Sequence, residues 1–255
     1  MEVTIVGCSG SFAGPRSAAS SYLVRAEHEG RTWSIVLDLG NGALGALQRH
    51  IQPYAVDAIL LSHLHVDHCI DMCGLYVMMR YVPGGPGRAT MPVWGPPGTG
   101  MHLAHAYGSG EAEDVLGVFD FRDLRHRDPV TVGPFTITPV RVNHPVEAYG
   151  FRVEAGGRVL AYTGDTDVCD ELDELMAGAH LVLADAAFVD GRDTVPDIHM
   201  SGRRAAEAAV RAGGVRRLML THIPAWNDPE VCREQAAAVW PGDVELAQAD
   251  ATYCL

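Results

Sequence analysis

The sequence has no lysine. Its 19 basic residues are all arginine and stand against 32 acidic ones, for a formal net charge of −13. Such a chain is a poor nonspecific partner for nucleic acid, whose phosphates are held by Lys and Arg. Arg suits phosphate geometry, but the missing Lys, beside so much Ala, Gly and Val, reads as a GC-rich genome and carries no function. No stretch is long and apolar enough to span a membrane, so no membrane partner is expected. The N-terminus opens as a strand, Glu2-Val3-Thr4-Ile5-Val6, with no basic region and no signal-like apolar core. Cytoplasmic location is therefore the expectation. The six cysteines (Cys8, Cys69, Cys73, Cys169, Cys232, Cys254) include no C-x-x-C pair, which argues against a disulfide framework and for free thiols. Cys69 and Cys73 are four apart on an expected helix and would share a face, packing as small hydrophobes rather than serving redox or an extra metal.

What is present fits one globular domain over 1–255, with 47 % hydrophobic and 20 % charged residues. The most informative run is Ser62-His63-Leu64-His65-Val66-Asp67-His68. It follows the apolar Ala58-Ile59-Leu60-Leu61, so a buried strand delivers four strong metal-binding side chains at its C-terminal end, where α/β folds place their sites. His63 and His65 are two apart and point to one side in extended backbone. Asp67 and His68 follow where the chain should turn into a helix, and there they can face a second point. Imidazole and carboxylate together suit zinc and similar ions. Two ions sharing a water take about seven protein ligands, so more should lie downstream. His144 follows the stretch 135–142, Asp165 follows 159–162, and His222 ends Leu218-Met219-Leu220-Thr221. Each is a strong ligand just past a short apolar run.

The set His63, His65, Asp67, His68, His144, Asp165 and His222 resembles that of the metallo-β-lactamase superfamily, across nearly the whole chain. Three local matches are closest to its ribonuclease Z-like branch: Trp94-Gly95-Pro96-Pro97-Gly98-Thr99, the stretch from His144 to Phe151, and His199 in Ile198-His199-Met200-Ser201. The resemblance implies an α/β fold, a four-layer αββα sandwich with metals at one edge. It implies two divalent ions, zinc or else manganese or iron, one on His63, His65 and His144, the other on Asp67, His68 and His222, with Asp165 bridging. It implies catalytic roles for Asp67, orienting hydroxide, and for His199, a general acid to the leaving alkoxide. It also implies a homodimer. Ribonuclease Z enzymes that mature transfer RNA carry a basic, Gly-rich arm. Residues 166–198 offer only a helix at 170–176, a strand and the loop Asp190-Gly191-Arg192-Asp193-Thr194, without such an arm. Small arm-less members of the branch resemble compact actinobacterial cyclic nucleotide phosphodiesterases. The expected partner is thus a small-molecule phosphodiester, a 3′,5′-cyclic nucleotide such as cAMP. The competing readings are a ribonuclease acting on RNA 3′ ends, a lactonase or thioesterase, and a metal-holding binding protein.

Periodicity places strands at 2–7, 20–26, 33–38, 57–62, 92–94, 130–142, 149–154, 158–162, 180–185, 217–221 and 244–247. Helices are expected at 42–50, 67–81, 99–107, 111–117, 170–176, 202–212 and 228–239. Segments 59–68, 181–186 and 218–224 echo one another as apolar strands ending in polar residues. The loop Ser9-Gly10-Ser11-Phe12-Ala13-Gly14-Pro15-Arg16 is a candidate lining of the substrate pocket.

Overall fold

The computed structural model describes all residues except 86, 88, 89 and 110–116. Among the described residues the strands form two sheets. The first runs β15-β1-β3-β4-β5-β6-β7 (Thr252–Cys254, Glu2–Ser9, Ser21–His28, Arg31–Leu37, Ala58–Leu60, Met91–Gly95, Phe119–Asp123), with β2 (Ala18–Ala19) beside β1. The second runs β14-β13-β12-β11-β10-β9-β8 (Val244–Leu246, Leu218–Thr221, Leu181–Asp185, Arg158–Tyr162, Tyr149–Ala155, Phe135–Arg141, Val130–Val132). Each sheet pairs an antiparallel half with a parallel one: β4 to β7 in the first, β11 to β14 in the second.

The parallel strands are apolar on both faces, and the period of two sorts their side chains into separate cores. Ile35, Leu37, Ala58 and Leu60 point inward to meet Phe151, Leu160, Leu181, Leu183 and Met219 of the other sheet. The intervening Val36, Ile59 and Leu61 point outward, under α1 (Ala43–Leu47), α3 (Met72–Tyr81) and α4 (Thr99–Tyr107). Val182, Ala184, Leu218 and Leu220 likewise pack under α5 (Glu171–Met176), α6 (Gly202–Ala212) and α7 (Pro229–Ala237). Three cores between four layers are the expected αββα sandwich. α6 lies close on its neighbour because Gly202 has no Cβ; one there would fall 2.0 Å from the Cys232 carbonyl oxygen.

Several boundaries differ from expectation. The helix expected at 67–81 is two: α2 (Val66–Cys69) and α3, parted at Ile70 and Asp71. Asp71 starts α3 afresh: its amide donates to the Leu39 carbonyl instead of to the preceding turn, its Oδ2 accepts from the Leu44 amide, and its carbonyl accepts from the Leu75 amide. Cys69 and Cys73 therefore sit on different helices; their thiols donate to the carbonyls of Leu64 and Leu103, and burial pushes both thiol pKa values up, that of Cys69 to about 12. The strand expected at 130–142 is the hairpin β8–β9, turned at Gly133, whose φ of 52° lies in the left-handed region and whose α-carbon lies against the Trp33 ring. Strands β7 and β15 and a 3₁₀ turn at Pro53–Ala55 were not foreseen. The helix expected at 111–117 falls on residues outside the described ones, apart from Gly117. No described helix is long and apolar enough to cross a membrane.

Candidate metal centre

The C-terminal ends of β4, β5, β11, β12 and β13 meet along one edge of the sandwich, as parallel strands in α/β folds do at their sites. His63 follows β5. His65 is still extended (φ −66°, ψ 149°) and caps α2, so the two imidazoles stand together with ring centroids 4.7 Å apart. The turn into α2 swings Asp67 and His68 to a second point. His144, on the loop after β9, brings its Nε2 to 3.1 Å from His65 Nδ1; His63 Nε2 lies 3.0 Å from that same atom. Asp165, after β11, reaches His68 Nε2 at 3.1 Å, His222 Nε2 at 3.2 Å and His63 Nε2 at 3.7 Å. The seven residues thus fall into two groups with converging donor atoms, His63, His65, His144 and Asp165, and Asp67, His68, Asp165 and His222. Asp165 belongs to both.

The donor chemistry fits cations. Asp165 Oδ1, His68 Nε2 and His222 Nε2 are buried and make no hydrogen bond, although they crowd together at ion-pair distances. Unpartnered polar atoms are costly in an interior, and these three aim at common points that a cation would satisfy. Burial holds the imidazoles of His63, His65, His144 and His222 below the ordinary range, so each keeps a free lone pair at neutral pH. Burial works against charge on Asp67 too, but His68 and His222 outweigh it and bring Asp67 down to about 2. The same opposition resolves the same way at Asp165, where His222 and His68 keep the carboxylate ionised.

Supporting residues escaped the sequence reading. Asp38, fully buried after β4, lies 2.7 Å from His68 Nδ1 and accepts from the Ser62 amide, the Ser62 hydroxyl and the Tyr162 hydroxyl. Ser20 lies 2.9 Å from His222 Nδ1, fixing that ring. Asp185, at the end of β12, accepts from the amides of Thr166 and Ala187 and lies 2.8 Å from His199 Nδ1. His199 thereby stands beside the cluster, its ring centroid 5.2 Å from that of His222 and 5.6 Å from that of His144. Burial opposes its protonation, but the Asp185 carboxylate outweighs burial and raises His199 to about 9. Ser201 caps α6 by accepting from the Arg204 amide, which anchors the segment carrying His199. Backbone constraint is concentrated here: of the described non-glycine residues with positive φ, Asp38 (60°) and His222 (57°) are the buried ones. Gly40 backs α2, since a Cβ on it would meet the Asp67 carbonyl oxygen at 1.8 Å. His102 and His105 are exposed on α4.

A family model described as "Beta-lactamase superfamily domain" matches residues 34–223. The uncharacterized protein Rv1339 of Mycobacterium tuberculosis is 44 % identical over 258 residues, covering 99 % of this chain and 92 % of that protein. A ribonuclease Z of Mycobacterium bovis (strain BCG / Pasteur 1173P2) is 30 % identical over 272 residues, covering 96 % and 95 %. The crystal structure of the metallo-beta-lactamase fold protein YhfI from Bacillus subtilis superposes with a TM-score of 0.86 at 27 % identity, covering 99 % of this chain and 98 % of that one.

Proposed function

The chain belongs to the beta-lactamase superfamily and is a metal-dependent hydrolase; from that premise we propose that it is a binuclear phosphodiesterase that opens a 3′,5′-cyclic nucleotide such as cAMP. The observation that carries this reading is the His199–Asp185 pair set beside two donor groups that share Asp165. His63, His65 and His144 would hold one ion; Asp67, His68 and His222 the other; Asp165 both. Two such ions, when bound, lower the pKa of water and offset charge on a phosphoryl group.

The chain's own residues supply the rest. Ionised Asp67 accepts a hydrogen bond from the attacking water and orients it. The water oxygen bonds to phosphorus as the bond from phosphorus to the 3′ oxygen breaks. His199, its Nδ1 engaged by Asp185, delivers the Nε2 proton to that 3′ oxygen. A 5′-monophosphate leaves, and the proton lost by water restores His199 through solvent. An acid poised for an alkoxide is what a phosphodiester needs and what a thioester, whose thiolate leaves readily, needs less. A small substrate is favoured over long RNA by the net charge of −13 and by the short span from Asp165 to His199, which holds α5, β12 and loops rather than a basic arm.

The test compares hydrolysis of 3′,5′-cAMP and of a 3′-extended precursor transfer RNA by zinc- or manganese-loaded protein, with Asp67→Ala in parallel. Conversion of cAMP, lost in the variant, is expected. Cleavage of the RNA alone would replace this reading with the ribonuclease one.

His199 also gives a pH signature. A histidine whose folded pKa exceeds its unfolded value of about 6.5 adds stability that is complete below that value and is lost as pH rises through the folded pKa, here about 9. In the metal-free protein, the melting temperature of His199→Gln is therefore expected to fall less between pH 6.5 and 9 than that of the wild type. His68, raised by Asp165 and Asp38 against burial, has the same sign in both proteins, so the difference between them reports His199. In the loaded enzyme, His199→Gln should lower kcat by ~10²- to 10⁴-fold and remove the alkaline limb of the kcat profile. An unchanged limb would remove His199 from the acid role.

A further inference from the structure

Two loops flank His222 and leave large aromatic surface in water. The loop after β1 carries Phe12, 37 % exposed, and the loop after β13 carries Trp226, 64 % exposed. Their rings meet at 4.8 Å between centroids, tilted by 45°. Both are tied to the metal edge. Gly10 lies on His222, where a Cβ would come within 2.2 Å of the His222 carbonyl oxygen and 3.0 Å of its ring. Ser9 bridges to Ile223. Ser11, at a φ of 62°, and the bond from the Phe12 amide to the Gly10 carbonyl (2.7 Å) turn Phe12 outward. Trp226 is four residues past His222, hence within roughly 14 Å of it along the chain. An open cavity of about 570 Å³ adjoins these loops, lined by Pro15, Arg16, Ile223 and Pro224 together with Glu230 and residues 246–249, while Phe12 and Trp226 stand outside its lining. Arg16 is exposed and forms no ion pair among the described residues, in a chain where most arginines are matched to a carboxylate.

An exposed tryptophan braced by a tilted phenylalanine is a platform for a flat, π-rich ring, and stacking of a base on such a surface tolerates any base identity. Arg16 adds a positive charge suited to an anionic ligand. We propose that these two loops form the nucleobase subsite of the enzyme, with Trp226 as the stacking surface and Arg16 drawing the anionic nucleotide in. The inference rests on the phosphodiesterase reading above and deepens it by assigning the end of the substrate that takes no part in bond breaking. It makes Trp226 a specificity residue: it distinguishes a nucleotide from a phosphodiester lacking a base, and does so mainly through KM.

The experiment compares the wild type, Trp226→Ala and Trp226→Phe on 3′,5′-cAMP and on the matching sugar 3′,5′-cyclic phosphate without a base. Trp226→Ala is expected to lower the ratio of kcat/KM for cAMP over the abasic compound by about tenfold, carried by KM, and Trp226→Phe to restore most of it. Because Trp226 is largely in water, the variants should fold, which a melting curve verifies. An unchanged ratio overturns the subsite. A wild type inactive on cAMP overturns the phosphodiesterase reading separately. The subsite is then judged by binding alone: addition of 5′-AMP should shift the Trp226 indole N–H resonance, assigned from its loss in Trp226→Phe. No shift overturns it.

Discussion

Asp165→Asn is expected to bind fewer than two ions per chain and to lose at least ~10³-fold in kcat/KM. Asp165 is the one residue common to both donor groups, 2 % exposed, with one oxygen near His68 and the other near His222 and His63. Asn keeps the shape but removes the charge and replaces one acceptor with an N–H₂ donor that points at cations. Histidines that hold a cation do so as neutral donors and bring no negative charge, so the loss falls on the pair of ions rather than on one. Metal content by mass spectrometry after dialysis, together with steady-state kinetics, reads both effects. The thermal stabilisation that zinc confers on the wild type, which follows from binding to the folded state only, should shrink in the same variant. A variant that retains two ions and most of its activity would show that Asp165 does not bridge.

The sequence made the site legible because its signal is a repeated one. Every ligand candidate is a His or Asp immediately past an apolar run, and the fold brings such strand ends to one edge. The echo among 59–68, 181–186 and 218–224 marks the parallel halves of the two sheets, whose C-terminal ends form that edge. The same signal was present in Ile35-Val36-Leu37-Asp38 and Leu181-Val182-Leu183-Ala184-Asp185, yet both acids were read as the last residues of strands. An acid that ends a buried strand, with no basic residue nearby in sequence, has to find its partners elsewhere; the partners of Asp38 come from residues 62, 68 and 162. The breaks at Ile70–Asp71 and Gly133–Pro134 were hidden for a related reason. The Asp71 carboxylate accepts from the amide of Leu44, 27 positions away in sequence, and the hairpin at Gly133 packs on Trp33. Local pattern carries period and polarity, whereas these features depend on contacts between distant segments.

Asp38 tests how far the site depends on such contacts. It touches no substrate in the proposed reaction and works through His68. Asp38→Ala would remove the carboxylate that the Ser62 amide, the Ser62 hydroxyl, the Tyr162 hydroxyl and His68 Nδ1 share at a fully buried position. It would also put alanine at a φ of 60°, where Asp and Asn are better tolerated. Removing one partner of a buried ionic network costs about 3–5 kcal/mol, so Asp38→Ala should lower the midpoint of denaturant unfolding steeply or fail to accumulate. Asp38→Asn separates orientation from folding. It retains the shape, the left-handed backbone and one acceptor oxygen, so its loss of stability should be the smaller. It no longer offers a carboxylate to His68, which leaves that ring free to turn and less basic toward a cation. Loss of such a supporting partner lowers metal affinity by ~10- to 100-fold. The expected pattern is a folded Asp38→Asn protein with weakened metal binding and a kcat recovered at high metal concentration. If Asp38→Asn binds metal as tightly as the wild type, Asp38 serves the core alone, and His68 is held in place by Ser62 and the packing of α2.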